Sequence, residues 1–176
     1  VADAAADKGM QTMLANVGFA NYVSVTETVD GVKTIRPRTI EELDLAAITA
    51  HYTEMATAFK GSVKYYQLGN EMDNIFYTGG GFGRSYTSGY ADVTVAAMAI
   101  DTAAKAIKAA DPDAKVIVNF VSQHLGFIHG LKTVDIDSVT EGVQIASWDY
   151  IGMDWYSNMC NTDSINPEDN EPYDYI

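Results

Sequence analysis

The chain has 176 residues, and its 24 acidic side chains outnumber 11 basic ones, which gives a formal net charge of −13. Because nucleic acids and anionic membrane surfaces are bound through clusters of Lys and Arg, this charge argues against both as partners. Hydrophobic residues make up 47% of the sequence, which is enough for the core of a single domain over residues 1–176. The sequence holds no run of about 18 apolar residues that would cross a bilayer.

The cysteine content and the two ends of the chain carry further expectations. Cys160 is the only cysteine, which excludes an internal disulfide and a site built from several thiolates. The three histidines have no paired spacing, so we expect neither a metal nor a cofactor. Residues 1–9 are typical of the last turns of a helix closed by a glycine, and the polar tail after Tyr156 is typical of a loop. We therefore expect a chain that starts and stops inside a larger fold.

Predicted strands and helices alternate along the sequence. Thr39 and Glu42 form the S/T-x-x-E pattern of a capping box, which predicts the start of a long helix with an apolar face. The predicted elements in chain order are a strand at 10–16, a small hairpin (Tyr22–Thr28 with Val32–Ile35), a helix from Thr39 to Gly61, a strand at 63–69, a helix at 90–110, a strand at 115–120, a weaker helix at 134–147 and a strand at 150–156.

This alternation predicts an α/β fold of parallel strands with helices packed outside. A (β/α)8 TIM barrel takes eight strands and about 250 residues. Four predicted core strands therefore indicate a partial barrel, an incomplete part of a larger domain. The rival interpretation is a small open α/β sheet that is complete as it stands.

Polar residues are predicted to meet at the carboxyl ends of three strands, where α/β enzymes build their active sites. With a period of two, Asp154 and Tyr156 lie on one face of the last strand, and Ile151 and Met153 lie on the other, beneath helices. The same period groups Gln67, Gly69 and Glu71 on the second strand and Ile117 with Asn119 on the third. The alternative is that Asn70 and Glu71 merely begin a solvated loop after the second strand, since an exposed Glu is ordinary.

The sequence Leu68-Gly69-Asn70-Glu71 after a short strand resembles the Gly-Asn-Glu signature that closes the fourth barrel strand of the TIM-barrel clan of retaining glycoside hydrolases. The helix that ends in residues 106–113 and the strands at 115–120 and 150–156 fit the same clan. Among its members, the endo-galactanase-like and related endo-glycanase families are the most similar. The resemblance covers about residues 8–158, which correspond to barrel strands three to six.

The resemblance implies roles for the residues that match the clan's motifs. Glu71 would be the general acid/base, and Asn70 would hydrogen-bond the 2-hydroxyl of the sugar at the cleavage point. Tyr156 would occupy the position whose phenol orients the nucleophile. Asn119 and Asp154 are candidates for substrate contact, and Asn119 stands where some endo-galactanase-like relatives have His, which leaves the subfamily open.

A retaining glycosidase also needs a nucleophilic carboxylate about 5–5.5 Å from the acid/base. In the clan this is a Glu that ends the seventh strand, and no such strand is predicted here. Glu168 and Glu171 lie among Asn and Pro in the tail, so we reject both. Tyr77 and Phe82, in the loop after Glu71, are candidates to stack on sugars.

The resemblance thus implies a glycosidase whose parent protein hydrolyses a β-linked poly- or oligosaccharide by a retaining double displacement. The isolated chain, which lacks a nucleophile, is expected to be inactive. The alternative is a non-catalytic carbohydrate-binding or assembly protein on a barrel-derived α/β fold. The expected partners are the carbohydrate and the remaining part of the barrel, on another chain or segment. We expect a secreted or periplasmic location.

Overall fold

The computed structural model describes residues 4–5, 7–15, 18–72, 92–120, 131 and 147–154, with the backbone alone at positions 32 and 34. The helix predicted at 134–147 lies outside these residues, except for its last position. No helix in the described ranges is long and apolar enough to cross a membrane. In chain order the elements are β1 (Met13–Leu14), α1 (Ala20–Val23), β2 (Ser24–Val29), β3 (Val32–Pro37), a 3₁₀ turn (Ile40–Glu42), α2 (Leu45–Ala58), β4 (Tyr65–Leu68), α3 (Val93–Ala110), β5 (Lys115–Phe120) and β6 (Tyr150–Met153).

The centre of the fold is a sheet of four strands in the order β1, β4, β5, β6, and every neighbouring pair is parallel. Helix α2 connects β1 to β4, and α3 connects β4 to β5. Parallel strands that lie side by side in chain order are the arrangement of a (β/α)8 barrel, whereas a doubly wound sheet reverses its order at a switch point. The predicted α/β fold, a partial barrel with parallel strands alternating with helices, is confirmed.

An antiparallel hairpin of β2 and β3 is inserted between β1 and α2, close to where the sequence predicts it. Its first strand starts later than predicted because Tyr22 belongs to α1. Asp30 and Gly31 form the turn, with φ values of 51° and 81°. Two successive left-handed residues are what a two-residue type I′ turn requires, and an Asp-Gly pair supplies them readily.

The start of α2 differs from the sequence prediction. Thr39 and Glu42 do form a capping box, but it caps the 3₁₀ turn rather than α2. Arg36 donates two hydrogen bonds of 2.8 Å to Glu42 and lowers the pKa of that carboxyl to about 2. Helix α2 begins after its own cap, because Asp44 Oδ1 accepts a hydrogen bond from Ala47 N–H at 2.9 Å.

Helix α3 packs against α2 and β5 and is anchored at several points. Asp92 caps its start by accepting hydrogen bonds from two backbone N–H groups of the first turn. Lys105 Nζ lies 2.7 Å from Asp101 Oδ2, one helical turn away. Asp101 is buried, and its other carboxylate oxygen accepts a hydrogen bond from the Ser147 hydroxyl at 2.7 Å. This contact ties the segment before β6 to α3.

The hydrophobic core lies between the sheet and the two long helices. Leu68 pairs with Val118, and Val118 pairs with Ile151, so these residues share the outer face of the sheet. Ile151 and Met153 are 40% and 44% exposed, so the prediction that they pack beneath helices is wrong for the described part of the chain. The reason is that β6 is an edge strand of the described sheet. The large, fully buried side chains are Phe19, Ile48, Tyr52, Tyr66, Leu68, Met72, Ile100, Ile107, Phe120 and Leu131.

Asp149 ties β5 to the start of β6 at the amino end of the sheet. Its Oδ2 accepts a hydrogen bond from Val116 N–H at 2.9 Å and lies 3.0 Å from Lys108 Nζ. Its Oδ1 lies 3.5 Å from Lys115 Nζ. Burial opposes ionisation of this carboxyl, but the N–H group and the two ammonium groups outweigh it and lower the pKa of Asp149.

Asp149→Asn is expected to lower the free energy of unfolding by about 1 kcal/mol at neutral pH, because it removes both ion pairs and keeps an acceptor for Val116. A pKa that is lower in the folded state stabilises the fold above the ordinary value of Asp, and this stabilisation is lost as the pH falls through the lowered value. In urea unfolding, the gap between wild type and variant should therefore narrow as the pH falls below the ordinary pKa of Asp, about 4. A gap that stays constant would contradict this role; Asp113→Asn, at an exposed aspartate, is the matched control.

Candidate active site at the carboxyl end of the sheet

Buried polar side chains stand at the carboxyl ends of the two central strands. Gln67, Glu71 and Asn119 are only 8%, 7% and 3% exposed. The burial of Glu71 contradicts the alternative in which it begins a solvated loop. A carboxyl group is rarely buried unless it has partners or a task, because leaving water is costly for its charged form.

The chain turns sharply between the end of β4 and Glu71. Gly69 has a φ of +69°, and Glu71 has a φ of +47°. A left-handed backbone costs a residue with a Cβ about 1–2 kcal/mol, so surrounding contacts must hold Glu71 in it. Gln67 Nε2 donates to the carbonyl oxygen of Gly69 at 3.1 Å, and this buried bond fixes the first half of the turn.

Asn119, at the end of the neighbouring strand, holds the second half of the turn. Its Oδ1 accepts a hydrogen bond from the backbone N–H of Glu71 at 2.7 Å, and its carbonyl oxygen lies 3.5 Å from the backbone nitrogen of Met72. Its Nδ2 donates to Asp154 Oδ1 at 2.9 Å. Polar groups that follow three neighbouring strands therefore meet at one edge, and the predicted convergence is confirmed.

Gly152 lies beside Asn119 and packs closely against Ile117. The register places Gly152 and Asn119 side by side on neighbouring strands. A Cβ at Gly152 would lie 3.1 Å from Ile117 Cγ2 and 3.5 Å from Asn119 Nδ2. A side chain at this position would therefore press on Ile117, whereas its contact with the Asn119 amide would be an ordinary one.

Four of the six predicted site residues lie in the described part of the chain. Glu71, Asn119 and Asp154 belong to one hydrogen-bonded chain, and Asn70 is half-buried. Tyr156 and Tyr77 lie outside the described residues. The roles that the resemblance implies for all six stay predictions, because they concern a bound sugar or a nucleophile, whereas the hydrogen bonds described here join groups of the protein.

Met72 is a site residue that the sequence reasoning missed. It is fully buried, and its Cγ and Sδ would lie only 2.7 Å from a Cβ placed on Gly69. Met72 therefore packs directly against the turn that carries Glu71. The signal in the sequence is a single apolar residue within the polar stretch 70–73.

Gly69→Ala is expected to lower the free energy of unfolding by about 2–4 kcal/mol, because the new Cβ needs a left-handed backbone and meets Met72. Gly61→Ala is the matched control, since Gly61 has a φ of +79° but nothing within 4 Å of its Cβ position. Its cost should be about 1–2 kcal/mol, the backbone part alone. Urea unfolding of both variants measures the difference, and equal losses would contradict the close packing against Met72.

The described residues supply carboxyl and amide groups at this edge. Carboxyl groups transfer protons, and amides hydrogen-bond neutral polar ligands such as sugars. Among the residues that the structure describes, no group of three His, Cys, Asp or Glu side chains could hold a metal ion. The fold and the site together define an α/β protein whose parallel sheet carries a buried Glu, an Asn and an Asp at its carboxyl edge.

The chain is similar to parts of two solved structures. The structure of GH10 from Paenibacillus barcinonensis has 23% sequence identity and a TM-score of 0.48, over 86% of this chain and 44% of that one. A GH10 xylanase from termite gut that contains a bacterial Ig-like domain has 16% sequence identity and a TM-score of 0.43, over 76% of this chain and 39% of that one. The chain thus spans less than half the length of either. No family model matches the sequence, and no curated protein sequence is similar to it.

Proposed function

We propose that this chain is part of a glycoside hydrolase that cleaves a β-linked poly- or oligosaccharide with retention of configuration. The observation that carries the proposal is the burial of Glu71 after β4, where Asn119 holds its backbone N–H. This is the edge at which barrel enzymes place their catalytic groups. A carboxyl group held there is suited to general acid/base catalysis.

In the proposed mechanism Glu71 acts twice. It first gives a proton to the glycosidic oxygen, so that the leaving sugar departs with a hydroxyl group, while a second carboxylate attacks the anomeric carbon and forms a glycosyl-enzyme. The ionised Glu71 then takes a proton from the water molecule that hydrolyses this intermediate. Each step inverts the anomeric carbon, so the product keeps the configuration of the substrate.

Neighbouring residues are proposed to orient the sugar. Asn70, half-buried and adjacent to Glu71, hydrogen-bonds the 2-hydroxyl at the cleavage point, a contact that strengthens in the transition state. Tyr156 orients the nucleophile, and Tyr77 stacks on a sugar ring. These three roles follow the resemblance of the sequence to the clan.

The nucleophile is proposed to come from a part of the barrel beyond these four strands. Among the described strand ends, Asp154 brings a carboxylate to the same edge as Glu71, where its Oδ1 accepts a hydrogen bond from Asn119. The described sheet pairs β1 and β6 on one side only, so further strands can join at either edge. Residues 1–176 are accordingly proposed to be an incomplete part of a barrel domain. We also propose that the protein is secreted or periplasmic.

The proposal is tested by incubating the full-length protein with a panel of β-linked glycans, with α-linked glycans as controls. Proton NMR of the first product gives its anomeric configuration. We expect hydrolysis of at least one β-linked glycan with a β-configured initial product. An α-configured initial product would contradict retention. Binding of a glycan without hydrolysis would favour the alternative, a non-catalytic carbohydrate-binding protein.

A further inference from the structure

We infer that Asn119 and Asp154 form a positioning pair, which fixes the backbone of Glu71 and thereby aims its carboxyl group. Glu71 N–H donates to Asn119 Oδ1 at 2.7 Å, and Asn119 Nδ2 donates to Asp154 Oδ1 at 2.9 Å. This hydrogen-bonded chain runs from the end of β4 across β5 to the end of β6. The positioning is independent of any reaction, whereas its effect on catalysis rests on the proposed function.

The donor and acceptor types allow only one orientation of the Asn119 amide. A backbone N–H can only donate, so Glu71 requires the amide oxygen. An ionised carboxylate can only accept, so Asp154 requires the amide nitrogen. Asp154 therefore selects the orientation of Asn119 that Glu71 needs.

Asp154 is itself held in place by the sheet. Its backbone N–H donates to the carbonyl oxygen of Phe120 at 2.8 Å, which extends the pairing of β5 with β6 by one residue. This hydrogen bond fixes the position of the Asp154 backbone relative to the end of β5. The sheet, and not a loop, therefore sets the relative positions of Asn119 and Asp154.

The atom that the pair holds belongs to a strained residue. Glu71 has a φ of +47°, in a region that a residue with a Cβ enters only when its surroundings impose it. Asn119 is 3% exposed, so bulk water has little access to replace its amide oxygen as the partner of that N–H. Loss of the bond would let the Glu71 backbone relax and would displace its side chain.

Two substitutions of nearly unchanged shape test the pair. Asn119→Asp keeps an acceptor for Glu71 N–H but places two carboxylates against each other, which like charges oppose. Asn119→Asp combined with Asp154→Asn exchanges the two groups. The carboxylate at position 119 then accepts from Glu71 N–H with one oxygen and from the new amide at position 154 with the other. The double variant should restore both hydrogen bonds.

The first readout is hydrogen exchange at the Glu71 amide, followed by NMR on ¹⁵N-labelled protein. The Val116 amide, which is bonded to Asp149 near the other end of β5, is the internal reference. Asn119→Ala and Asn119→Asp are expected to speed exchange of Glu71 about tenfold relative to this reference, and the double variant should return it to the wild-type rate. Asn21→Asp, the same change at an exposed residue, should leave the rate unchanged.

The second readout is turnover of a natural glycan by the full-length protein. Asn119→Asp is expected to lower kcat about tenfold to a hundredfold with little change in KM, because it misaligns the acid without removing it. The double variant should recover most of this loss. Circular dichroism of each variant shows whether it is fully folded, so that a lower kcat reports misalignment of Glu71 and not a smaller folded fraction.

Three results would overturn the positioning pair: an unchanged Glu71 exchange rate in Asn119→Ala, an equal acceleration at Val116, or a double variant no better than Asn119→Asp. The proposed function fails in a different way. If the exchange rates follow the expected pattern and no form of the protein hydrolyses any glycan, the positioning pair stands and the hydrolase assignment is wrong.

Discussion

Glu71→Gln in the full-length protein is expected to lower kcat/KM on a natural glycan by about 10²–10⁴-fold, the usual contribution of a general acid/base. The substitution keeps the shape of the side chain and removes its ability to transfer a proton. The backbone N–H that Asn119 accepts from is unchanged, so the fold around the turn should be retained. Steady-state kinetics measure the loss, and circular dichroism checks the fold.

The loss in Glu71→Gln should depend on the leaving group. Activated aryl glycosides need little protonation to depart, so their cleavage should be slowed far less than cleavage of a natural glycan. Glu54→Gln is the matched control, because Glu54 is an exposed glutamate on α2. Near-normal activity of Glu71→Gln on a natural glycan would remove Glu71 from the mechanism.

The 176-residue chain by itself is expected to show no glycosidase activity, whereas the proposed function predicts that the full-length protein hydrolyses a β-linked glycan. The reason is chemical: retention needs two carboxylates about 5–5.5 Å apart, and the proposed nucleophile lies outside these four strands. The comparison uses both proteins at equal concentration, each purified free of other polypeptides. Activity of the short chain would contradict the account, and Asp154→Asn would then test whether Asp154 is the nucleophile.

The open edges of the sheet add a physical expectation for the same short chain. Met13 on β1 and Tyr150, Ile151 and Met153 on β6 are 40–50% exposed apolar residues on strands that pair on one side in the described sheet. Such edges tend to pair with other chains. Size-exclusion chromatography of the short chain should therefore show association, and a clean monomer would argue that the edges are covered.

Strand positions followed from the sequence where the pattern was unambiguous. The sequence predicts a strand at residues 115–120, and β5 has the same bounds, because a β-branched run follows a Pro-containing turn. The capping box at Thr39 was recognised but assigned to the wrong helix. The pattern itself carries no information about length, and Arg36 on the hairpin holds Glu42 in a turn that ends after three residues.

The sequence predicts that Glu71, Asn119 and Asp154 meet at one edge of the sheet, but it predicts neither their hydrogen bonds nor the place of Met72. Alternation along each strand placed Asn119 and Asp154 on the face of Gly152, and parallel pairing brought Glu71 to the same edge. The bond from Glu71 N–H to Asn119 depends on the left-handed backbone at Glu71, which is unusual for a Glu and is imposed by tertiary contacts. The packing of Met72 against Gly69 follows from the same turn.

Azide rescue is the measurement that tests the role of Glu71 most directly. Glu71→Ala in the full-length protein, with an activated aryl β-glycoside, should form the glycosyl-enzyme and then stall, because no base activates water. Added azide needs no base, so it should raise the rate and give a β-glycosyl azide, which NMR identifies. An α-glycosyl azide would instead make Glu71 the nucleophile. No effect of azide on a variant with wild-type turnover would show that Glu71 takes no part in the reaction.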